Sequence, residues 1–80
     1  MPEKREPERR IFTFDTTHHA LWAEEVARER GIPAEAIPAP PAAHARCGLA
    51  LETLPEDVAR LSGALEEEGV PFALYESSDP

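Results

Sequence analysis

Arg28 to Ile37 reads RERGIPAEAI, and Glu66 to Tyr75 reads EEEGVPFALY. Each passes from a charged, helix-compatible stretch through a glycine, an aliphatic residue and a proline into a short run of strand character. Gly31 matches Gly69, and Pro33 matches Pro71. A glycine just past a helix is a common stop, and a proline soon after it cannot continue the helix. The two stretches therefore read as the same helix-to-strand joint used twice, and a duplicated joint implies a duplicated unit.

The residues on either side complete the units. Upstream of the first joint, Ile11 to Phe14 (IFTF) is β-branched and aromatic and predicts a strand whose Phe12 and Phe14 face the helices. Asp15, Thr16 and Thr17 follow, each a good N-cap, so a helix is expected from there to about Arg30. His19, Trp22, Ala23, Val26 and Ala27 fall on one helical face and predict its buried stripe. Glu24 and Arg28 are spaced for an i,i+4 pair, and Arg28 and Arg30 suit the last turn, where the helix dipole favours cations. Ala34 to Pro38 is a weak strand whose proline suits an edge. Cys47 to Leu54 alternates, with Leu49 and Leu51 on one face and Ala50 and Glu52 on the other. Thr53 and Pro55 mark a second helix start, with Val58, Leu61 and Leu65 as its buried stripe. Nothing in the sequence offsets Glu66, Glu67 and Glu68 at that helix's negative end. Phe72 to Glu76 is the last strand.

The order is strand, helix, strand, strand, helix, strand. The expected fold class is α+β, a ferredoxin-like βαββαβ two-layer sandwich with a four-stranded antiparallel sheet and two helices on one face. Right-handed crossovers put the first and third strands in the centre. Residues 1–10 read as a disordered charged tail, 11–76 as the domain and 77–80 as a frayed end.

Composition bounds the function. A chain of 80 residues holds one domain with a thin core. A formal net charge of −8 argues against a phosphate backbone as ligand. No apolar run is long enough for a bilayer, and MPEKREPERR lacks the apolar core of an export signal. The single cysteine has no internal disulfide partner and fits a reducing cytoplasm. There is no Gly-rich phosphate loop, no CxxC and no Ser-His-Asp arrangement.

Chemistry concentrates in one stretch, Pro38 to Leu51 (PAPPAAHARCGLAL). In the expected topology the loop before Cys47 and the start of the first helix share one end of the sheet. That would draw Cys47 toward His18, His19, His44 and the free N–H groups around Thr16 to His19. A thiolate is the reactive form of cysteine, and a helix start or protonated imidazole favours it. Arg46 would add positive field, and Gly48 would let a bulky donor approach the sulfur. Pro38, Pro40 and Pro41 would stiffen the loop.

FDTTHHALWAEE, then GIPAEAIPAP, then CGLAL, resembles the selenium/sulfur carrier protein-like family of small domains. The resemblance rests on Thr17, His18, Ala20, Glu24, Pro38, Pro40, Cys47 and Gly48, and spans Ile11 to Glu76. It departs at Pro41, where the family often has a basic residue, and at His44, where it often has a small hydroxyl residue. The resemblance implies a carrier holding sulfur or selenium as a persulfide-type adduct on Cys47, with His18 and His19 beside it. Thr17, Pro38, Pro40, Arg46 and Gly48 would support the loop. A carrier with a covalent cysteine intermediate is implied rather than a turnover enzyme, with no cofactor. Its partners would be a donor protein such as a cysteine desulfurase and an acceptor protein, with no nucleic acid or membrane and with a homodimer as one assembly state.

Two other readings stand beside this one. Cys47, His18 and His44 offer nitrogen and sulfur ligands suited to zinc or copper, although their spacing matches no tight metal motif. A regulatory or scaffold domain would leave Cys47 as a small buried hydrophobe.

Overall fold

Both joints close with the same backbone geometry in the computed structural model, which describes residues 9–40 and 47–75. Helix α1, Thr17–Arg30, ends at Gly31 with φ 69°, and helix α2, Val58–Glu68, ends at Gly69 with φ 79°. In the first joint Ile32 N donates to Ala27 O at 2.9 Å; in the second Val70 N donates to Leu65 O at 2.9 Å. Ile32, Ala27, Val70 and Leu65 are all buried in the same core. Each joint is thus a left-handed glycine cap whose following aliphatic residue anchors the chain under the helix it has just left. The matching prolines then release the chain toward the sheet.

The strands are β1 (Arg10–Thr13), β2 (Glu35–Pro38), β3 (Leu49–Thr53) and β4 (Ala73–Tyr75). They form one sheet in the order β2-β3-β1-β4, with every neighbouring pair antiparallel. With helices after β1 and β3, this is the ferredoxin-like α+β sandwich the duplication implies, with the first and third strands central. Phe12 stands opposite Leu51 on one side and Leu74 on the other. Alternation puts Phe12, Phe14 and Leu51 on one face. There they share a core with Ala20, Ala23, Val26 and Ala27 of α1 and Leu61, Ala64 and Leu65 of α2, so both helices cover that face. Phe12, Leu51, Leu61 and Leu65 are its largest fully buried side chains. Burial of each stabilises by about 1.5–3 kcal/mol relative to exposure, which makes these four the main holders of a small core.

The boundaries differ from expectation in instructive places. Strand β1 begins at Arg10, and Arg9 pairs with Glu52 at 2.8 Å, so the ordered chain reaches into the stretch expected as a tail. Residues 1–8 and 76–80, which hold the rest of the expected tail and the frayed end, lie outside the described residues. Thr53 does not start the second helix. It closes β3, and its Oγ1 donates to Pro33 O at 2.6 Å, tying the end of β3 to the chain just ahead of β2. A single 3-10 turn over Pro55–Asp57 comes next, and α2 starts only at Val58. Asp57 sits at that start without capping it; its carboxylate accepts from Arg60 at 3.1 Å.

The stripe expected on α1 is also corrected. The buried residues are Ala20, Ala23, Val26 and Ala27, while Trp22 is 38% exposed. Three alanines let the helix lie close on the sheet, and an indole does not fit beneath it. Arg28 pairs with Glu25 at 3.6 Å rather than with Glu24. The glutamates at the end of α2 acquire an explanation: Arg30 donates to Glu67 at 2.9 Å and to Glu68 at 3.1 Å. Those hydrogen bonds, first to Glu67 and then to Glu68, raise the Arg30 pKa above its ordinary value. One guanidinium from α1 thus answers two of the carboxylates that crowd the negative end of α2.

Candidate functional site

The register assembles one end of the sheet. Thr13, the last residue of β1, stands opposite Ala50 near the start of β3, and Pro38, the last residue of β2, stands opposite Leu49. Beyond the strand, Ala39 N donates to Gly48 O at 2.9 Å and holds the segment after Pro38 against the Cys47–Gly48 bend. The chain also leaves β1 for α1 at this end. Topology therefore brings the Cys47 segment, the Pro38–Pro40 segment and the start of α1 together, as the duplicated unit requires.

Cys47 lies just ahead of β3 rather than within it. Cys47 is half-buried and packs on the rim of the core, as does Leu49 two residues on. Sγ donates to Leu49 O at 3.2 Å. A carbonyl oxygen can receive only a proton-bearing sulfur, so a nucleophilic thiolate must give up this contact. No imidazole or cation reaches Sγ by hydrogen bond or ion pair among the described residues. The next residue, Gly48, is exposed, and a Cβ built on it would meet nothing within 4 Å. One flank of the sulfur's segment is therefore open.

The helix start is built by Thr16. Its extended backbone makes it the N-cap, and its Oγ1 accepts from His19 N at 3.0 Å. Of the three candidate caps the fold uses this one. The bond also takes up one of the N–H groups expected to favour a thiolate. Thr17 is the first helical residue and is exposed. His18 is exposed, whereas His19 is half-buried, with ring centroids 6.3 Å apart and tilted by 59°. The His19 ring also lies 6.5 Å from that of Trp22. Its Nδ1 is buried with no hydrogen-bond partner. Placing the proton on Nε2 avoids an unpaired buried N–H donor, so the site favours that tautomer. Of the two imidazoles His18 is the solvent-exposed one, while His19 is partly committed to packing.

Pro38 is exposed and Pro40 half-buried, on the segment held by Gly48. Pro41, His44 and Arg46 lie outside the described residues. Among the described residues no group of three or more His, Cys, Asp and Glu side chains could hold a metal ion. The set Cys47, His18 and His44 depends on a residue outside them, so nothing described assembles a metal centre. No helix among the described residues is long and apolar enough to cross a membrane.

Residue types alone did not reveal two features. The partner of Cys47 is a main-chain carbonyl, which no side-chain pattern announces. The apolar patch of Leu21, 52% exposed, and Trp22, 38% exposed, was hidden because Trp22 was read into the buried stripe.

Fold and site together define a class: a small ferredoxin-like sandwich with a lone, half-buried thiol at the sheet end where its first helix begins. The chain belongs to the family described as "Putative Se/S carrier protein-like", whose model matches residues 9–76. No curated protein and no solved structure matches it.

Proposed function

We propose that this domain carries sulfur or selenium as a persulfide-type adduct on Cys47, between a donor protein such as a cysteine desulfurase and an acceptor thiol. The observation that carries the reading is the position of Cys47. Its sulfur is half-buried on the core rim and next to an exposed glycine, in a chain with no second cysteine to resolve it into a disulfide. Membership of the family supports the same cargo.

The chemistry balances without an external oxidant. The Cys47 proton passes to water or to a base, for which exposed His18 is the candidate. The thiolate attacks the outer sulfur of a donor persulfide; a Cys47–sulfur bond forms, the donor's sulfur–sulfur bond breaks, and the donor leaves as a thiolate. An acceptor thiolate then attacks the outer sulfur on Cys47, and Cys47 returns to its starting state. Selenium follows the same two displacements. Half-burial suits the role: the aliphatic rim would slow hydrolysis and oxidation of the adduct, and the open Gly48 flank would admit the partner's sulfur.

Incubation with a small persulfide donor, followed by intact-mass measurement, tests this. The expected result is a gain of one sulfur on the wild type, removed by a thiol reductant and absent from Cys47→Ser. A wild type that gains nothing under conditions that load a free cysteine peptide would refute the carrier reading.

A further inference from the structure

Leu21 and Trp22 are 52% and 38% exposed, and with His18 and Glu25 they line one shallow, open depression on the outer side of α1. They are two of the three exposed large hydrophobic residues among those described. The core does not need them, since α1 is seated by its alanines and Val26. Helical spacing places Leu21, Glu25 and Glu29 in one column down the outer surface, over about 12 Å of helix, with His18 and Trp22 on its flanks. The column is apolar at the end shared with Cys47 and acidic toward the far end.

Charge around it is mainly negative. Arg9, Arg28, Arg30 and Arg60 are each ion-paired to the chain's own carboxylates. Among the described residues Asp15, Glu24 and Glu29 have no ion-pair partner, and the chain carries −8 overall. Glu25 holds Arg28 only at 3.6 Å, with both side chains more than half exposed, a pair of little worth that a visiting cation can displace.

We infer that this face of α1 is the docking surface for the donor protein. The occupant is a segment presenting an apolar side chain over Leu21 and Trp22 and arginine or lysine side chains over Glu25 and Glu29. The inference rests on the carrier reading for the donor's identity, but not for the binding chemistry. An arginine can stack on the indole while pairing with a carboxylate one turn away. Docking here would seat the donor at the Cys47 end. The long-range field would speed encounter, with a steep loss at high salt.

Two measurements test it separately. Trp22 is the only tryptophan, so its fluorescence reports the surface directly. The probe is a helical peptide with leucine followed by arginines four and eight residues on; its control carries glutamate for arginine. The expected result is a saturable change in Trp22 emission with the arginine peptide alone. Affinity should fall about tenfold in Leu21→Ser and in the double variant Glu25→Gln/Glu29→Gln, and stay unchanged in Glu66→Gln. No binding, equal binding by Leu21→Ser, or an equal loss in Glu66→Gln overturns the inference. A wild-type dimer that Leu21→Ser converts to monomer overturns it too, because the occupant is then a second copy.

The second measurement compares loading of Cys47 by a persulfide-bearing cysteine desulfurase and by a small persulfide. Leu21→Ser should slow the protein donor about tenfold and leave the small donor unchanged. An unslowed protein donor, or equal slowing of both, overturns the inference. If the small donor fails to load even the wild type, the carrier reading falls and the peptide measurement alone decides the docking surface.

Discussion

Thr16→Ala removes one hydroxyl and tests how the site's helix is anchored. Thr16 Oγ1 accepts from His19 N at 3.0 Å, while its main-chain carbonyl accepts from Ala20 N at 3.2 Å and survives the change. The loss is therefore one cap bond at an exposed helix start, about 1 kcal/mol. In a domain of this size that lowers the melting temperature by about 4–8 °C. Thr16→Ser keeps the acceptor and should melt within a few tenths of a kcal/mol of wild type, roughly 1–3 °C. Thr17→Ala, one residue into the helix, should change stability by no more than about 0.5 kcal/mol. Thermal melts followed by helix circular dichroism, with amide hydrogen exchange at His19, make the assay. A Thr16→Ala melt matching wild type, or an equal drop in Thr17→Ala, would refute the assignment of Thr16 as the cap.

Three further outcomes follow from the same geometry. Gly63 lies inside α2 with nothing within 4 Å of an added Cβ, so Gly63→Ala should stabilise by about 0.5–1 kcal/mol in denaturant titration. Gly31 at φ 69° should respond oppositely, with Gly31→Ala destabilising by about 1 kcal/mol in the same titration. Leu65 is fully buried and anchors Val70 through its carbonyl, so Leu65→Ala should destabilise by about 2–5 kcal/mol, enough to leave a marginal domain partly unfolded by circular dichroism at room temperature.

The joints made the architecture legible. Gly31-Ile32-Pro33 and Gly69-Val70-Pro71 each encode a cap, an anchor and a release, and their repetition carries the strand order with it. Phe12, Leu51, Leu61 and Leu65 were readable from alternation and helical spacing for the same reason: those patterns report which face a residue takes. Trp22 was not, because spacing puts it near the buried arc without saying how much room lies beneath. The alanines, by drawing α1 down onto the sheet, decide that it stays on the rim. Thr53 was misread because a threonine two residues ahead of a proline resembles a cap, whereas its hydrogen bond to Pro33 O is a tertiary fact.

At the candidate site, the sequence located the elements and left their contacts open. The shared end of the sheet follows from topology, and the exposure of His18 beside a partly packed His19 follows from their helical positions. The hydrogen bond from Cys47 Sγ to Leu49 O does not, since it depends on how the chain bends before β3. That bend ties the resting thiol to a carbonyl, where a positively polarised setting was expected.

The relay itself is the most direct test of the proposed function. Cys47 is loaded from a donor bearing isotopically labelled sulfur, freed of that donor, and mixed with an acceptor thiol. The proposal predicts that the label leaves Cys47 and appears on the acceptor as a persulfide, one atom per chain, and that Cys47→Ser passes none. Label that stays on Cys47 while acceptor thiol is consumed, or that reaches the acceptor equally well through Cys47→Ser, would contradict it.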